Sequence, residues 1–184
     1  EFIHSACSAA VIAFPTLKYN MVRIGVLQFG FFPSKEILAN YVNQKKEFEM
    51  QPKRVLSCKS TVMDLKQVKS GEFIGYGTSF FASIPTKIAI VPVGYALGFS
   101  RNLSNLGKVL INGQRLHIIG TINMNALTVD ITNAEDIKIG DEVVLIGKQG
   151  NMEISVSSFS DQENFLNYEL LTRLPSEIPR VVVD

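Results

Sequence analysis

The sequence predicts a mainly β fold in two parts, a first part over residues 1–50 and a β domain over residues 51–184. The main observation is a change of pattern near Arg54, after which short apolar runs alternate with turn residues. A second observation is the pair Asn112-Gly113 between two apolar runs, a strong signal for a type I′ hairpin. The hydrophobic content of 46% is sufficient for a buried core.

The first 50 residues predict a mixture of helix and strand. Ser5–Phe14 is small and apolar and predicts a short helix. Met21–Gly30 is an apolar run broken only by Arg23, Gly25 and Gln28, which predicts a strand buried on both faces, as in a parallel sheet. Lys35–Glu49 is polar and periodic and predicts a helix or a mobile connector, and the Gln51-Pro52-Lys53 step marks the boundary.

The β domain is predicted to contain eight short strand segments and one helix. The strand segments are Arg54–Val68, Glu72–Tyr76, Lys87–Val93, Lys108–Ile111, Gln114–Ile119, Ala126–Asp130, Glu142–Ile146 and Glu153–Ser155. Glycine or asparagine occupies most of the turns between them. Ser157–Leu171 predicts the helix, with Ser157 or Ser158 as its N-cap.

Composition excludes several classes of function. A net charge of +1 provides no basic surface for nucleic acid, and no apolar run approaches the roughly 20 residues of a membrane span. Cys7 and Cys58 are the only cysteines, which favours reduced thiols in a cytoplasmic protein. With His4 and His117 as the only histidines and no CxxC or HExxH motif, we expect no metal site.

Two tyrosines lie between glycines at the ends of strand-like runs, Tyr76 in Gly75–Phe80 and Tyr95 in Gly94–Arg101. Glycine allows a ligand or another backbone to come close, and a phenol can donate, accept or lose a proton. The blocks on either side are Asn20–Gly25, Gly120–Asn125 and Asn167–Leu170. Taken together, and in their order along the chain, the five blocks resemble the carboxy-terminal half of the alanine racemases, a family of pyridoxal-phosphate enzymes.

The resemblance covers essentially the whole chain and implies its organisation. Residues 1–50 would be the last strands and helices of the family's pyridoxal-phosphate-binding (β/α)8 barrel, and residues 51–184 its carboxy-terminal β domain. The family's cofactor lysine belongs to a motif near the start of the full enzyme, and that motif does not occur here. We therefore expect the chain to be an inactive part of a longer enzyme, a homodimer in which the β domain of one subunit completes the other's active site.

The resemblance assigns the chemistry mainly to Tyr76 and Arg23. In the family, the matching tyrosine is one of two catalytic bases, and the cofactor lysine is the other. Racemisation removes a proton from one face of the α-carbon and returns one to the other, so two opposed bases suffice. The arginine matching Arg23 lies on the pyridine nitrogen of the cofactor, where it donates a hydrogen bond but keeps its proton. Related enzymes that decarboxylate place a carboxylate there, so Arg23 favours a racemase.

Further residues match the family's cofactor and substrate contacts. Those expected to hold the cofactor are Ser8 by its hydroxyl, Gly25 and Val26 by main-chain amides, Tyr168 by its phenol, and His4 as the support of the arginine. The substrate carboxylate would meet the main-chain N–H of Met124. Tyr95 and Arg101 would line the path by which the substrate enters.

Four positions depart from the family pattern and leave alternatives open. Leu97 and Asn125 stand where aspartates are usual, Thr121 where an arginine often occurs, and Cys7 where an asparagine is usual. The leading prediction is an isomerase that interconverts L- and D-alanine and supplies D-alanine for peptidoglycan. One alternative is a racemase of serine, lysine or a broad range of amino acids. Another is a non-catalytic binding or structural module descended from the enzyme.

Overall fold

The structure, a computed structural model, describes residues 1–16, 19–44, 52–156, 171–172 and 174–183. The chain divides into two compact units, Glu1–Leu56 and Ser57–Asp184. The second unit consists mainly of sheet, and all pairings between its strands are antiparallel. This confirms the predicted mainly β fold class. The assignment of residues 1–50 to a barrel stays a prediction.

Two helices in the described part of the first unit agree with the sequence pattern. Helix α1 covers Ser8–Ala13, within the predicted segment, and buries Ser8 and Ile12. Helix α2 covers Lys35–Gln44 and begins after Ser34, whose hydroxyl accepts the main-chain N–H of Ile37 as an N-cap does. The remainder of the predicted second helix, residues 45–49, lies outside the described residues.

The prediction of a buried strand over Met21–Gly30 is wrong. The segment makes one isolated parallel bridge, between Arg23 and Cys7, and then enters a 3₁₀ turn at Val26–Phe29. A strand buried on both faces needs neighbouring strands and covering layers, and the described part of this unit contains no further strand beside the bridge. The apolar side chains of the run are accordingly not buried as in a central strand: Met21, Val22 and Ile24 are exposed, and Val26, Leu27 and Phe29 are only partly buried.

The described part of the second unit contains ten strands. They are β1 Cys58–Thr61, β2 Asp64–Val68, β3 Phe73–Ile74, β4 Phe80–Phe81, β5 Thr86–Val91, β6 Lys108–Ile111, β7 Gln114–His117, β8 Leu127–Asp130, β9 Glu142–Gln149 and β10 Met152–Ile154. One sheet has the order β1-β9-β6-β7 with β10 also paired to β9, a second has the order β2-β5-β8, and β3 and β4 form a short ribbon.

The predicted strand Arg54–Val68 is two strands because the chain changes sheet in the middle. The main-chain N–H of Val62 bonds to the carbonyl of Asp141 beside β9, at 2.9 Å. The next N–H, of Met63, bonds to the carbonyl of Ile90 in β5, at 2.8 Å. The other predicted strands are present with ends shifted by a few residues, whereas β4 was not predicted.

The predicted type I′ hairpin is confirmed. Strands β6 and β7 pair in register, with Ile111 opposite Gln114, so the loop has two residues. Both loop residues have positive φ, 49° at Asn112 and 72° at Gly113, as a type I′ turn requires. The amide of Asn112 also bonds to the carboxylate of Asp141 at 2.8 Å, which ties the turn to the neighbouring loop.

A small apolar cluster supports the loops that carry the predicted site residues. It consists of the buried side chains of Ile74, Ala82, Ile88 and Ile119, with partly buried neighbours packed around them. Burying an isoleucine side chain stabilises a fold by about 1.5–3 kcal/mol. Because Ile74 directly precedes Gly75 and Ile119 directly precedes Gly120, the cluster anchors the start of both loops.

The described residues bear only in part on two sequence-based expectations, the helix of the β domain and the absence of a membrane span. The predicted helix Ser157–Leu171 lies outside them except for its last residue. Among the helices that the structure does describe, none combines the length and the apolarity needed to cross a bilayer.

Candidate active site

Tyr76 projects from a tight loop between β3 and β4. Gly75, with φ 85° and ψ 165°, ends the extended chain, and a 3₁₀ turn follows over Tyr76–Thr78 with Gly77 at φ 70°. Glycine adopts these positive φ values at little cost. The result is a tyrosine side chain that is 78% exposed although its backbone is held in a defined turn.

The Tyr76 loop lies directly against the backbone of Gly120 and Thr121. A Cβ at Gly75 would come within 2.7 Å of Thr121 N and 2.9 Å of Gly120 Cα, so only glycine permits this approach. The Thr121 hydroxyl donates to the carbonyl of Tyr76 at 2.9 Å. Thr121, singled out in the sequence only as a departure from the family pattern, therefore contacts the predicted catalytic residue.

Tyr95 lies on a second loop, after β5, that contacts the next part of the same segment. Its main-chain N–H donates to the carbonyl of Asn123 at 3.1 Å, and the N–H of Ala96 donates to the carbonyl of Met124 at 3.0 Å. A Cβ at Gly94 would come within 2.0 Å of Asn123 O, so this approach also requires glycine. The Tyr95 side chain is 46% exposed.

Met124 lies at the tip of a turn closed by the bond from the N–H of Asn123 to the carbonyl of Ala126, 2.9 Å long. The Met124 side chain is exposed, and its main-chain N–H donates to no residue in the described part of the chain. Residues 120–124 thus join the two tyrosine loops and present an amide that can donate to a ligand. The structure therefore brings together three of the predicted site residues, Tyr76, Tyr95 and Met124.

In the first unit, Ser8 and Gly25 are joined by a hydrogen bond. The buried Ser8 hydroxyl accepts the main-chain N–H of Gly25 at 2.9 Å, which leaves its own hydrogen to donate elsewhere. The N–H of the next residue, Val26, donates to no described residue. The Ser8 hydroxyl and the Val26 amide can therefore both donate to an anion such as phosphate, whereas the Gly25 amide is already bonded to Ser8.

Arg23 lies beside the same group of residues. Its main-chain N–H donates to the carbonyl of Ala6 at 2.9 Å, and its guanidinium donates to the carbonyl of Ser5 at 3.4 Å. The guanidinium thus has donors left for a ligand. His4 is exposed and makes no hydrogen bond with Arg23, so its supporting role stays a prediction.

Cys7, where the family usually has asparagine, lies at the start of α1 with an exposed thiol. The main-chain N–H groups of Ala10 and Ala9 lower the pKa of this thiol below its ordinary value, because they stabilise the thiolate. The start of α1 therefore favours the negatively charged thiolate form of Cys7, next to Ser8. Tyr168, the remaining predicted cofactor residue, lies outside the described residues.

Asn105 is a residue of this region that the sequence analysis did not identify. It contacts both the Tyr76 loop and the segment that carries Met124. The only signal in the sequence was its position a few residues after the Gly94–Arg101 block, which gives no indication of a role.

Comparisons with known proteins agree with the resemblance. The family model described as "Alanine racemase, C-terminal domain" matches residues 55–182. An alanine racemase of Leptospira interrogans is 38% identical over 98% of this chain and 46% of its own length. One of Halothermothrix orenii is 38% identical over 96% of this chain and 44% of its own length. The chain thus spans about half the length of the curated relatives it matches.

Solved structures of alanine racemases have the same fold. The Bacillus anthracis structure with bound L-Ala-P has a TM-score of 0.88 and 32% identity, and it covers 100% of this chain and 45% of that chain. The Bartonella henselae structure, with covalently bound pyridoxal phosphate, has a TM-score of 0.84 and 27% identity. The latter match covers 99% of this chain and 47% of that one.

Proposed function

The chain belongs to the alanine racemase family, and from this premise we propose that it is the carboxy-terminal part of an enzyme that interconverts L- and D-alanine. Such an enzyme is an isomerase that supplies D-alanine for peptidoglycan. The observation that carries the proposal is Tyr76, whose exposed phenol stands on a loop bonded to the segment of Met124. By itself the chain would be catalytically incomplete, because the second base belongs to a motif that it does not contain.

Tyr76 is the proposed catalytic base on one face of the substrate. Its phenol oxygen would take the proton from the α-carbon of one enantiomer and return a proton to that face in the reverse reaction. The loop geometry supports this role because it fixes the backbone while leaving the phenol accessible. A side chain held only by packing would be expected to be buried, whereas this one is 78% exposed.

The first unit carries the residues proposed to hold pyridoxal phosphate. When bound, this cofactor supplies an electron-withdrawing ring that acidifies the α-hydrogen of an amino acid. The Ser8 hydroxyl and the Val26 amide fit its phosphate, since the serine retains a hydrogen to donate and the Val26 N–H donates to no described residue. The Gly25 amide, which donates to Ser8, belongs to the proposed set on the family resemblance. Arg23 would donate to the ring nitrogen and keep its own proton. Tyr168 and His4 complete the proposed set on the family resemblance.

The substrate carboxylate is proposed to bind at Met124. The residue is exposed and its main-chain N–H donates to no described residue, and a carboxylate accepts strongly from such a group. Tyr95 lies on the adjoining loop, bonded through its main chain to this segment, and is partly exposed, so its phenol is proposed to line the path of the same ligand. The choice of alanine is supported by the relatives, which are alanine racemases, and by the neighbouring structure with bound L-Ala-P.

The proposal includes a cytoplasmic homodimer. Cys7 and Cys58 are both free thiols, as in a reducing compartment. The family arrangement, in which Tyr76, Tyr95 and Met124 serve the cofactor of the partner subunit, would explain why an exposed tyrosine is built on so well-defined a loop.

The test is racemisation of L-alanine by the full-length protein supplied with pyridoxal phosphate. We expect fast conversion to D-alanine that falls by about 10²–10⁴-fold in a Tyr76→Phe variant, the usual contribution of a general base. Tyr19→Phe is the matched control, since it removes the hydroxyl of another exposed tyrosine and should leave kcat unchanged.

Each contrary result has a definite meaning. Full activity in Tyr76→Phe would exclude the tyrosine as a base. Cofactor binding without alanine turnover would point to another amino acid, such as serine or lysine. Failure to bind the cofactor at all would favour a non-catalytic descendant of the enzyme.

A further inference from the structure

The side-chain amide of Asn105 bonds to the Tyr76 loop and to the segment 120–124 of the proposed site. Its Nδ2 donates to the carbonyl of Ser79 at 3.1 Å, at the end of the Tyr76 loop. Its Oδ1 accepts the main-chain N–H of Gly120 at 2.6 Å, at the start of the segment that leads to Met124. One planar side-chain amide therefore fixes the distance between the Tyr76 loop and the segment 120–124.

The backbone of Asn105 is adapted to this position. Its φ of 60° lies in the left-handed region, which asparagine tolerates better than most residues other than glycine. It directly follows Ser104, whose hydroxyl accepts the N–H of Ile122 at 2.9 Å. Two successive side chains thus bond to the backbone of the segment that joins the tyrosine loops.

The Tyr76 loop depends on few other connections. Strands β3 and β4 are only two residues long, so the ribbon that presents the loop is short. The bond from Thr121 holds the loop at Tyr76, and the bond from Asn105 holds it at Ser79, three residues later. Loss of the second bond would leave one end of the turn without a tie to the Met124 segment.

We propose that Asn105 is a positioning residue for Tyr76, which sets the place of the phenol relative to the Met124 amide. The inference rests on the proposed function for its catalytic consequence but not for its structural one. Gly120 is buried, so its N–H needs a partner, and Asn105 Oδ1 is that partner. The residue has no contact with the reacting atoms in this scheme and acts through Tyr76.

Three variants of the full-length, cofactor-loaded protein test the proposal. Asn105→Gly keeps the left-handed backbone and removes both bonds. Asn105→Asp keeps an acceptor for the Gly120 N–H but has no donor for the Ser79 carbonyl. Asn112→Gly is the matched control, because Asn112 also has a positive φ and also bonds through its amide, in the β6–β7 turn.

We expect kcat to fall in the Asn105 variants and KM to stay nearly unchanged. A displacement of about 1 Å can cost about 100-fold in rate, so we expect kcat to fall by about 10- to 100-fold in Asn105→Gly and less in Asn105→Asp. The isotope effect of α-deuterated alanine should rise only in the direction of racemisation in which Tyr76 removes the proton. A general loss of folded structure would lower activity without this asymmetry. Asn112→Gly should match the unaltered protein.

Hydrogen–deuterium exchange of the same proteins gives a readout independent of activity. The N–H of Gly120 should exchange faster in Asn105→Gly and remain protected in Asn105→Asp and Asn112→Gly. Equal kcat in Asn105→Gly and Asn112→Gly, an isotope effect that rises in both directions, or unchanged exchange at Gly120 would each overturn the proposal. If the unaltered protein does not racemise alanine, the proposed function fails, while the exchange comparison still decides whether Asn105 holds the loops together.

Discussion

Gly75→Ala is the substitution for which the structure predicts the largest local effect at the Tyr76 loop. An alanine Cβ there would lie 2.7 Å from Thr121 N and 2.9 Å from Gly120 Cα, both main-chain atoms that cannot rotate away. Carbon contacts are most favourable at about 3.5–4.0 Å, so the two loops would have to separate by about 0.7 Å or more. That separation acts directly on the bond between Thr121 and the Tyr76 carbonyl.

A matched control separates the steric clash from the backbone conformation. Gly71 has φ 90°, close to the 85° of Gly75, but a Cβ at Gly71 meets nothing within 4 Å. Both alanine variants put a Cβ at a positive φ, which costs about 1–2 kcal/mol in the left-handed region, and Gly75, with ψ 165°, lies in a region still more restricted to glycine. Only Gly75→Ala adds the clash, which by analogy with overpacked cores costs about 1–3 kcal/mol. Loss of the Thr121 bond would add about 1 kcal/mol.

The assay is urea unfolding of the 184-residue chain, followed by circular dichroism, with the two variants compared at equal m value. We expect Gly71→Ala to lower the free energy of unfolding by about 1–2 kcal/mol and Gly75→Ala by about 2–4 kcal/mol more. Equal losses in the two variants would refute the close approach of the loops. Racemase activity of the full-length variants should fall in Gly75→Ala and persist in Gly71→Ala.

Two further predictions concern the core and the cysteines. Leu110→Ala, at a fully buried position of β6, should lower the free energy of unfolding by about 2–5 kcal/mol. Leu106 is half exposed, so Leu106→Ala should change this free energy by less than about 0.5 kcal/mol. Equal urea midpoints of the two variants would contradict the described core. The thiolate is the reactive form of cysteine, and main-chain N–H groups lower the pKa of Cys7 while burial raises that of Cys58. Iodoacetamide should therefore alkylate Cys7 faster than Cys58 and from a lower pH. Peptide mapping of the alkylated protein across a pH series measures both rates. Faster alkylation of Cys58 would contradict the exposure and pKa directions given for the two thiols.

Local patterns in the sequence predicted the parts of the fold that depend on neighbouring residues. The Asn112-Gly113 turn and strand β6 follow from turn chemistry and from a short apolar run, and both occur as predicted. The change of sheet at Val62–Met63 could not be predicted in this way, because it depends on partners far away in the chain, at Asp141 and Ile90. The same limit explains why the strand predicted over Met21–Gly30 is wrong. The apolar pattern implied neighbouring strands, and the described part of the first unit contains none.

The same distinction applies to the candidate site. Motif blocks identified Tyr76, Tyr95 and Met124, and the structure brings the three loops together through main-chain bonds and a bond from the Thr121 hydroxyl. The blocks did not indicate Asn105, because a residue that bonds only to carbonyl and N–H groups of other segments leaves no pattern in its own neighbourhood. Residues that touch a ligand are thus easier to find in a sequence than residues that hold the loops in place.

Thr121 shows how a departure from a family pattern can have a structural consequence. A threonine hydroxyl reaches only nearby groups, and here it bonds to the Tyr76 carbonyl. Residue 121 therefore fixes the loop of the proposed base and has no charge to offer to a substrate, in contrast to the arginine that the family resemblance often places there. In the proposed site, recognition of the carboxylate from this segment then falls to the main-chain N–H of Met124, which needs no particular side chain. In the proposed site, the threonine thus places no charge near the substrate while it ties Tyr76 to the segment that carries Met124.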